Sequence, residues 1–291
     1  MTHRAAGDEV LVGVDPRGLP ASVVAWAVAE AELGNSPLRL VVAIPPLRDT
    51  RHVDTTLRYR ALREQGERAL EAAAESIYGL APDARVEMEL LNGFPAAVLS
   101  GQVKSHTRMV VLGSRELSRP AEMLSAGSVA VPVSAQANCP VAVVRETERS
   151  SGGSSGLVVG VEGSDFSRAA VAVAVEEADL RGVGVRAIWA WRRPVVTFGG
   201  EETGVEERRR LLAETVSGPA SAHPDVQITQ EVRRGHPVEE LARASASADA
   251  VVVGRRGRGG YTGMRLGSVA HGLLHRAQCT VITVPTAEAL E

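Results

Sequence analysis

Short apolar runs alternate along this chain with longer stretches in which apolar positions recur at helical spacing. The runs at 10–15, 38–44, 84–90, 108–112 and 140–144 are brief and rich in valine, leucine and isoleucine, as are those at 157–162, 184–191, 226–232, 250–253 and 280–284. Their length and β-branched content assign them to strands, and several are apolar throughout, as strands covered on both faces are. The intervals predict helices over 20–34, 56–79, 95–106 and 127–137, and again over 167–181, 203–221, 237–248 and 267–277. Strict alternation of strand and helix predicts an α/β fold with open parallel sheets and helices on both faces. In such sheets ligands bind at the carboxyl ends of the strands, near the point where strand order reverses.

The pattern occurs twice. Val10–Asp15 matches Leu157–Glu162, Leu91–Pro95 matches Arg233–Pro237, and Met109–Ser114 matches Val251–Arg255. Gly127–Ala130 matches Gly267–Ala270, and Cys139–Val144 matches Cys279–Val284. Glu162 follows Asp15 by 147 residues, Gly235 follows Gly93 by 142, and Cys279 follows Cys139 by 140. Small deletions in loops account for that drift, so the chain is a tandem duplication with domains expected at 8–146 and 156–286. Ser150–Gly156 between them is a flexible linker by composition. Its Ser-Gly-Gly-Ser precedes a strand, whereas a pyrophosphate-binding loop follows one.

Composition narrows the function classes. The 291 residues suffice for two domains with their own cores. A net charge of −3 argues against a general binder of nucleic acid or of membrane surfaces. No apolar run approaches the length of a membrane span, and the first residues lack a signal-peptide core. With two cysteines, Cys139 and Cys279, at equivalent positions, a cytoplasmic protein without a structural disulfide is expected.

Candidate chemistry concentrates after the run Ala250–Val253. There the spacing is Gly254, two residues, Gly257, nine residues, then Gly267-Ser268 at the start of a helix. Glycines let backbone N–H groups face an anion, and a helix start adds unpaired N–H groups and a positive dipole end. The loop is neither a Walker loop, lacking Gly-Lys-Ser/Thr, nor the dinucleotide fingerprint, which follows the first strand of its fold. Arg255, Arg256, Arg258 and Arg265 add positive charge, either beside phosphates or as a solvated basic loop.

With its five-strand order and a Gly-x-Pro before the third helix, this constellation resembles the universal stress protein family in its tandem two-domain form. The resemblance covers almost the whole chain outside linker and termini. It implies domains of the adenine nucleotide alpha-hydrolase-like type and a stress-response regulatory protein that binds ATP or AMP, with Mg as the nucleotide's companion. Such a protein acts through association or signalling, with weak or absent catalysis. Carried over by position, Gly254, Gly257, Gly267 and Ser268 would hold ribose and phosphates, Val269 would add an N–H, and Ala190 would line the adenine site. Glu162 stands where the family has Asp, and its longer arm would displace that contact. The first half keeps Asp15, Gly113, Gly127 and Ser128. It has Glu116 at the second glycine position and 14 residues from Gly113 to Gly127, against 13 from Gly254 to Gly267. A carboxylate there repels phosphate and its Cβ obstructs backbone approach, so the second half is expected to bind the adenine nucleotide better. The resemblance also implies that the last strands pair the two halves into an intramolecular pseudo-dimer, and that two chains form a homodimer.

Other residues carry less. His271 and His275 lie four apart on one helical face but lack an obvious third metal ligand. His236 is read as a turn residue near the cleft, the two cysteines as buried packing, and Glu206–Arg210 as a solvated helix face. No Ser-His-Asp set or cysteine nucleophile emerges. Three functions remain open: a nucleotide-binding regulator, a nucleotide-independent interaction platform of the same fold, and a slow ATPase.

Overall fold

The structure, a computed structural model, describes residues 8–46, 57–114, 129–146, 156–192, 201–257 and 266–286. The chain divides into two compact units, Met1–Glu146 and Thr147–Glu291. In the first, β1 (Glu9–Gly13), α1 (Ala21–Gly34), β2 (Leu38–Ile44), α2 (Leu57–Leu80), β3 (Val86–Asn92), α3 (Pro95–Gly101), β4 (Thr107–Gly113), α4 (Ala130–Gln136) and β5 (Val141–Val144) follow in order. The strands lie in the order β3-β2-β1-β4-β5, with every neighbouring pair parallel. The second unit comprises β6 (Leu157–Gly160), α5 (Asp165–Arg181), β7 (Val185–Trp191), α6 (Glu201–Ala222), β8 (Ile228–Arg234), α7 (Pro237–Ser245), β9 (Ala250–Gly254), α8 (Ser268–Arg276) and β10 (Thr280–Val284). Its order β8-β7-β6-β9-β10 repeats the arrangement, again all parallel. Strand order reverses between β1 and β4 and between β6 and β9. A crevice therefore opens at the carboxyl ends of each of those pairs.

The apolar runs form the cores. Val10, Leu11, Val12, Met109, Val110 and Val111 are wholly buried in the first unit, and Val159, Val251 and Val252 in the second. The first and fifth helices stop by the same device: Asn35 and Gly182, 147 residues apart, both take the left-handed conformation. Ser36 then donates to the Ala31 carbonyl at 2.8 Å and Val183 to Ala178 at 2.9 Å, the closing bond of a Schellman motif.

Element boundaries depart from the sequence pattern at three kinds of place. The outer strands β3 and β8 begin two residues later than their apolar runs, because turn bonds from Ala84 to Ala81 and from Val226 to His223 occupy the chain just before them. The third helix stops at Gly101 rather than 106; the Lys104 N–H donates to the Thr107 hydroxyl at 2.8 Å and turns the chain into β4. The helices α1 and α5 start out of register. Pro20 disfavours helix at the residue before it, so α1 begins at Ala21, whereas Ser167 at the equivalent position lets α5 begin at Asp165. No helix among the described residues is long and apolar enough to cross a membrane.

Candidate functional site

In the second unit the crevice is bounded by Glu162 just beyond β6, Ala190 near the end of β7, Gly254 at the end of β9, and the start of α8. The main chain passes from β6 to Glu162 with a last ladder bond, Val161 N–H to the Ile188 carbonyl at 2.9 Å. The Glu162 carboxylate accepts a short hydrogen bond from the Ser164 hydroxyl. That oxygen in turn accepts from the Ser167 N–H at 3.2 Å, as N-cap of α5. The carboxylate also lies over the glycine loop: a Cβ on Gly257 would sit 3.4 Å from the Glu162 carboxyl carbon. The structure thus places Glu162 beside Gly257, and it adds Ser164, which sequence reading does not single out. Its signal is position, two residues beyond the strand-end carboxylate, where a short polar side chain can turn back.

The glycines differ in what they do. A Cβ on Gly254 would lie 2.7 Å from the Phe166 Cβ and 2.8 Å from its carbonyl carbon and oxygen. Its missing side chain is therefore accounted for by close packing of the first turn of α5. Gly267, the N-cap of α8, donates its N–H to the Arg255 carbonyl at 2.8 Å. That donor is spent within the loop, contrary to the expectation that it faces a ligand. Ser268, Val269 and Ala270, the first turn of α8, have N–H groups with no intrahelical acceptor. Arg258 and Arg265 lie outside the described residues.

In the first unit Asp15 and Gly113 line one cavity of about 540 Å³ at the carboxyl ends of β1, β2 and β4, together with Val14, Val41, Ala43, Leu99 and Leu112. Asp15 is engaged by the residue two positions on. The Arg17 backbone N–H donates to Oδ1 at 2.8 Å, its Nε to Oδ1 at 3.0 Å, and its Nη2 to Oδ2 at 2.7 Å. Arg17 stands 147 residues before Ser164, so both units hold the strand-end carboxylate from the same position, one with a cation and the other with a hydroxyl. The helix after β4 also differs. α4 begins at Ala130 and carries Pro132 where α8 has Gly272. Gly127, Ser128 and Glu116 lie outside the described residues.

Both halves match one family. A model of the universal stress protein family fits residues 8–145 and again 156–285. The chain belongs to the universal stress protein family. A universal stress protein of Mycobacterium tuberculosis is 34% identical over 284 residues, which cover 94% of this chain and 95% of that one. A Mycolicibacterium smegmatis relative is 31% identical over 299 residues, covering 98% and 99%. The fold is shared with a solved universal stress protein from Archaeoglobus fulgidus, at TM-score 0.71 and 17% identity over 98% of each chain.

The remaining candidates of this universal stress protein lie on α6, α7 and α8 and just before β5 and β10. The His271 and His275 rings stand 4.8 Å apart, tilted, on α8, and the described residues contain no group of three or more histidine, cysteine, aspartate or glutamate side chains able to hold a metal. His236 is the N-cap residue of α7, making no side-chain capping bond. Cys139 and Cys279 are buried and unbridged. Glu206, Glu207, Arg209 and Arg210 pair with one another along the exposed face of α6.

Proposed function

We propose that this universal stress protein is a stress-response regulator of the cytoplasm that binds ATP or AMP, with or without Mg, mainly in its second unit, and acts through association rather than catalysis. The observation that carries the reading is the meeting of the Glu162 carboxylate with the glycine loop beside the N-terminus of α8. The carboxylate, held by Ser164, supplies an acceptor for ribose or base donors. The side-chain-free surface at Gly257 admits the ligand's backbone-hugging portion, and the N–H groups of Ser268 and Val269 face phosphate at the positive end of the helix. The first unit supports this less well, since Arg17 already engages Asp15. For association, the outer strand β3 pairs on one edge only and leaves Met88 half exposed, a surface suited to a second chain.

Calorimetric titration of ATP against the whole chain tests the nucleotide site. Gly267→Asp places a carboxylate beside the phosphate donors and is expected to weaken binding about 100-fold, since hydrogen bonds to charged groups contribute about 1.5–3 kcal/mol each. Asp15→Asn in the first unit is expected to leave binding within about twofold. Unchanged affinity in Gly267→Asp, or loss in Asp15→Asn alone, overturns the reading.

A further inference from the structure

The second helix of each unit packs on the carboxyl end of its second strand, and the two copies do so differently. Gly66 of α2 and Arg208 of α6 are equivalent, 142 residues apart. So are Ile44 and Trp191, the last residues of β2 and β7, 147 apart. In the first unit the helix lies flush on the sheet: a Cβ on Gly66 would come 3.0 Å from the Val42 and Leu90 side chains and 3.2 Å from that of Ile44. In the second unit the same two places hold a guanidinium over an indole, with the Arg208 Cζ 4.3 Å from the Trp191 ring centroid. Nη1 of Arg208 also donates to the Gly204 carbonyl, one turn earlier in α6. The Trp191 main chain is tied into the structure by the Gly235 N–H, which donates to its carbonyl at 2.9 Å. Neighbouring charges on α6 pair among themselves, Glu206 with Arg209 and Glu207 with Arg210. Among the described residues no carboxylate lies within ion-pair distance of Arg208. A guanidinium has donors only. Arg208, partly buried and answered by a carbonyl and a ring, keeps N–H groups for an anion, the partner that bonds them most strongly.

Position decides which anion. Trp191 ends β7 directly after Ala190, whereas the first turn of α8, where the phosphates are proposed to lie, follows β9. β7 and β9 flank β6, so two strand spacings, about 10 Å, separate their ends. One phosphate group cannot touch both places. A nucleotide with its 5′ phosphates on α8 turns its ribose and base toward β7. We infer that Arg208, held by Trp191, is a specificity-determining residue of the second unit and favours adenine nucleotides that carry a further phosphate on the 2′ or 3′ ribose oxygen, an inference that rests on the nucleotide reading proposed above. The first unit, with glycine and isoleucine at the two equivalent positions, offers no cation there.

Titration calorimetry of the full chain with AMP, adenosine 2′,5′-bisphosphate and adenosine 3′,5′-bisphosphate tests this. One of the bisphosphates is expected to bind about tenfold or more tightly than AMP, the gain usual for a hydrogen bond between charged groups. Arg208→Met keeps an unbranched side chain on the indole and removes the charge, and the ratio of the two affinities is expected to collapse to about one. Arg208→Lys, which keeps the charge but not the fork, should retain part of the preference, with circular dichroism confirming that both variants are folded. Equal affinity of the wild type for AMP and both bisphosphates overturns the inference, as does a preference that survives Arg208→Met. If Gly267→Asp still weakens all three ligands in that event, the nucleotide site stands and only the role of Arg208 falls. If the wild type binds none of them, the nucleotide reading and the inference fall together.

Discussion

The Ser164 hydroxyl donates to the Glu162 carboxylate and accepts from the Ser167 N–H, and so couples the capping of α5 to the aim of the candidate ligand carboxylate. Replacing it by alanine removes the N-cap bond. Ser164→Ala is expected to destabilise the second unit by about 1 kcal/mol, the usual loss for a capping serine, read as a lower midpoint of urea unfolding. An unchanged midpoint would show that solvent or Gly163 replaces the cap. In the sequence the glycine spacing marks Gly254, Gly257, Gly267 and Ser268 as candidates, because close backbone approach calls for glycine, while Glu162 becomes one only through the family resemblance. The sequence conceals Ser164 and Arg17, whose roles depend on a side chain folding back over two residues. It also overstates Gly267: only the folded loop reveals that its N–H is used by Arg255.

Among the elements, β1 and β2 are locked at their amino ends by charge. Arg39, 1% exposed, donates to both oxygens of Glu9, at 2.9 and 2.7 Å, and to the Gln102 side chain and carbonyl at 2.8 and 2.6 Å. Burial pushes the Glu9 carboxyl up, but the bonds from Arg39 and Thr107 and the charges of Arg39 and Lys104 outweigh it and hold it below 4.5. A carboxyl depressed in the folded state contributes stability that is whole above its unfolded value and disappears as pH falls through its folded one. Unfolding midpoints should therefore decline as pH drops below 4.5, more steeply than in Glu9→Gln. Glu9→Ala at neutral pH, which strands the buried guanidinium, is expected to cost about 3–5 kcal/mol. Equal acid slopes for wild type and Glu9→Gln would contradict this. The interior strands announce themselves through apolar runs, interrupted by an arginine near the start of β2, β4 and β7. The outer strands β3 and β8, with polar residues at alternate positions, are placed by their pairing with β2 and β7 instead, which is why their starts are misread by two residues.

For the whole molecule, duplication explains why the architecture is readable: the ten strands of the described residues keep their order while the segments between them absorb the length changes, from 147 residues at the first strands to 140 at the last. The proposed homodimer belongs to this scale too. Sedimentation equilibrium should return twice 30.6 kDa, and a species that stays at the monomer mass across micromolar concentrations would refute it. A different consequence comes from the bond between Gly267 and Arg255. It joins the two ends of the glycine loop in the protein as folded, so the entropy of closing that loop, about 2 kcal/mol by its logarithmic dependence on length, is lost during folding. A nucleotide bound there, as proposed, would have no chain ends left to gather.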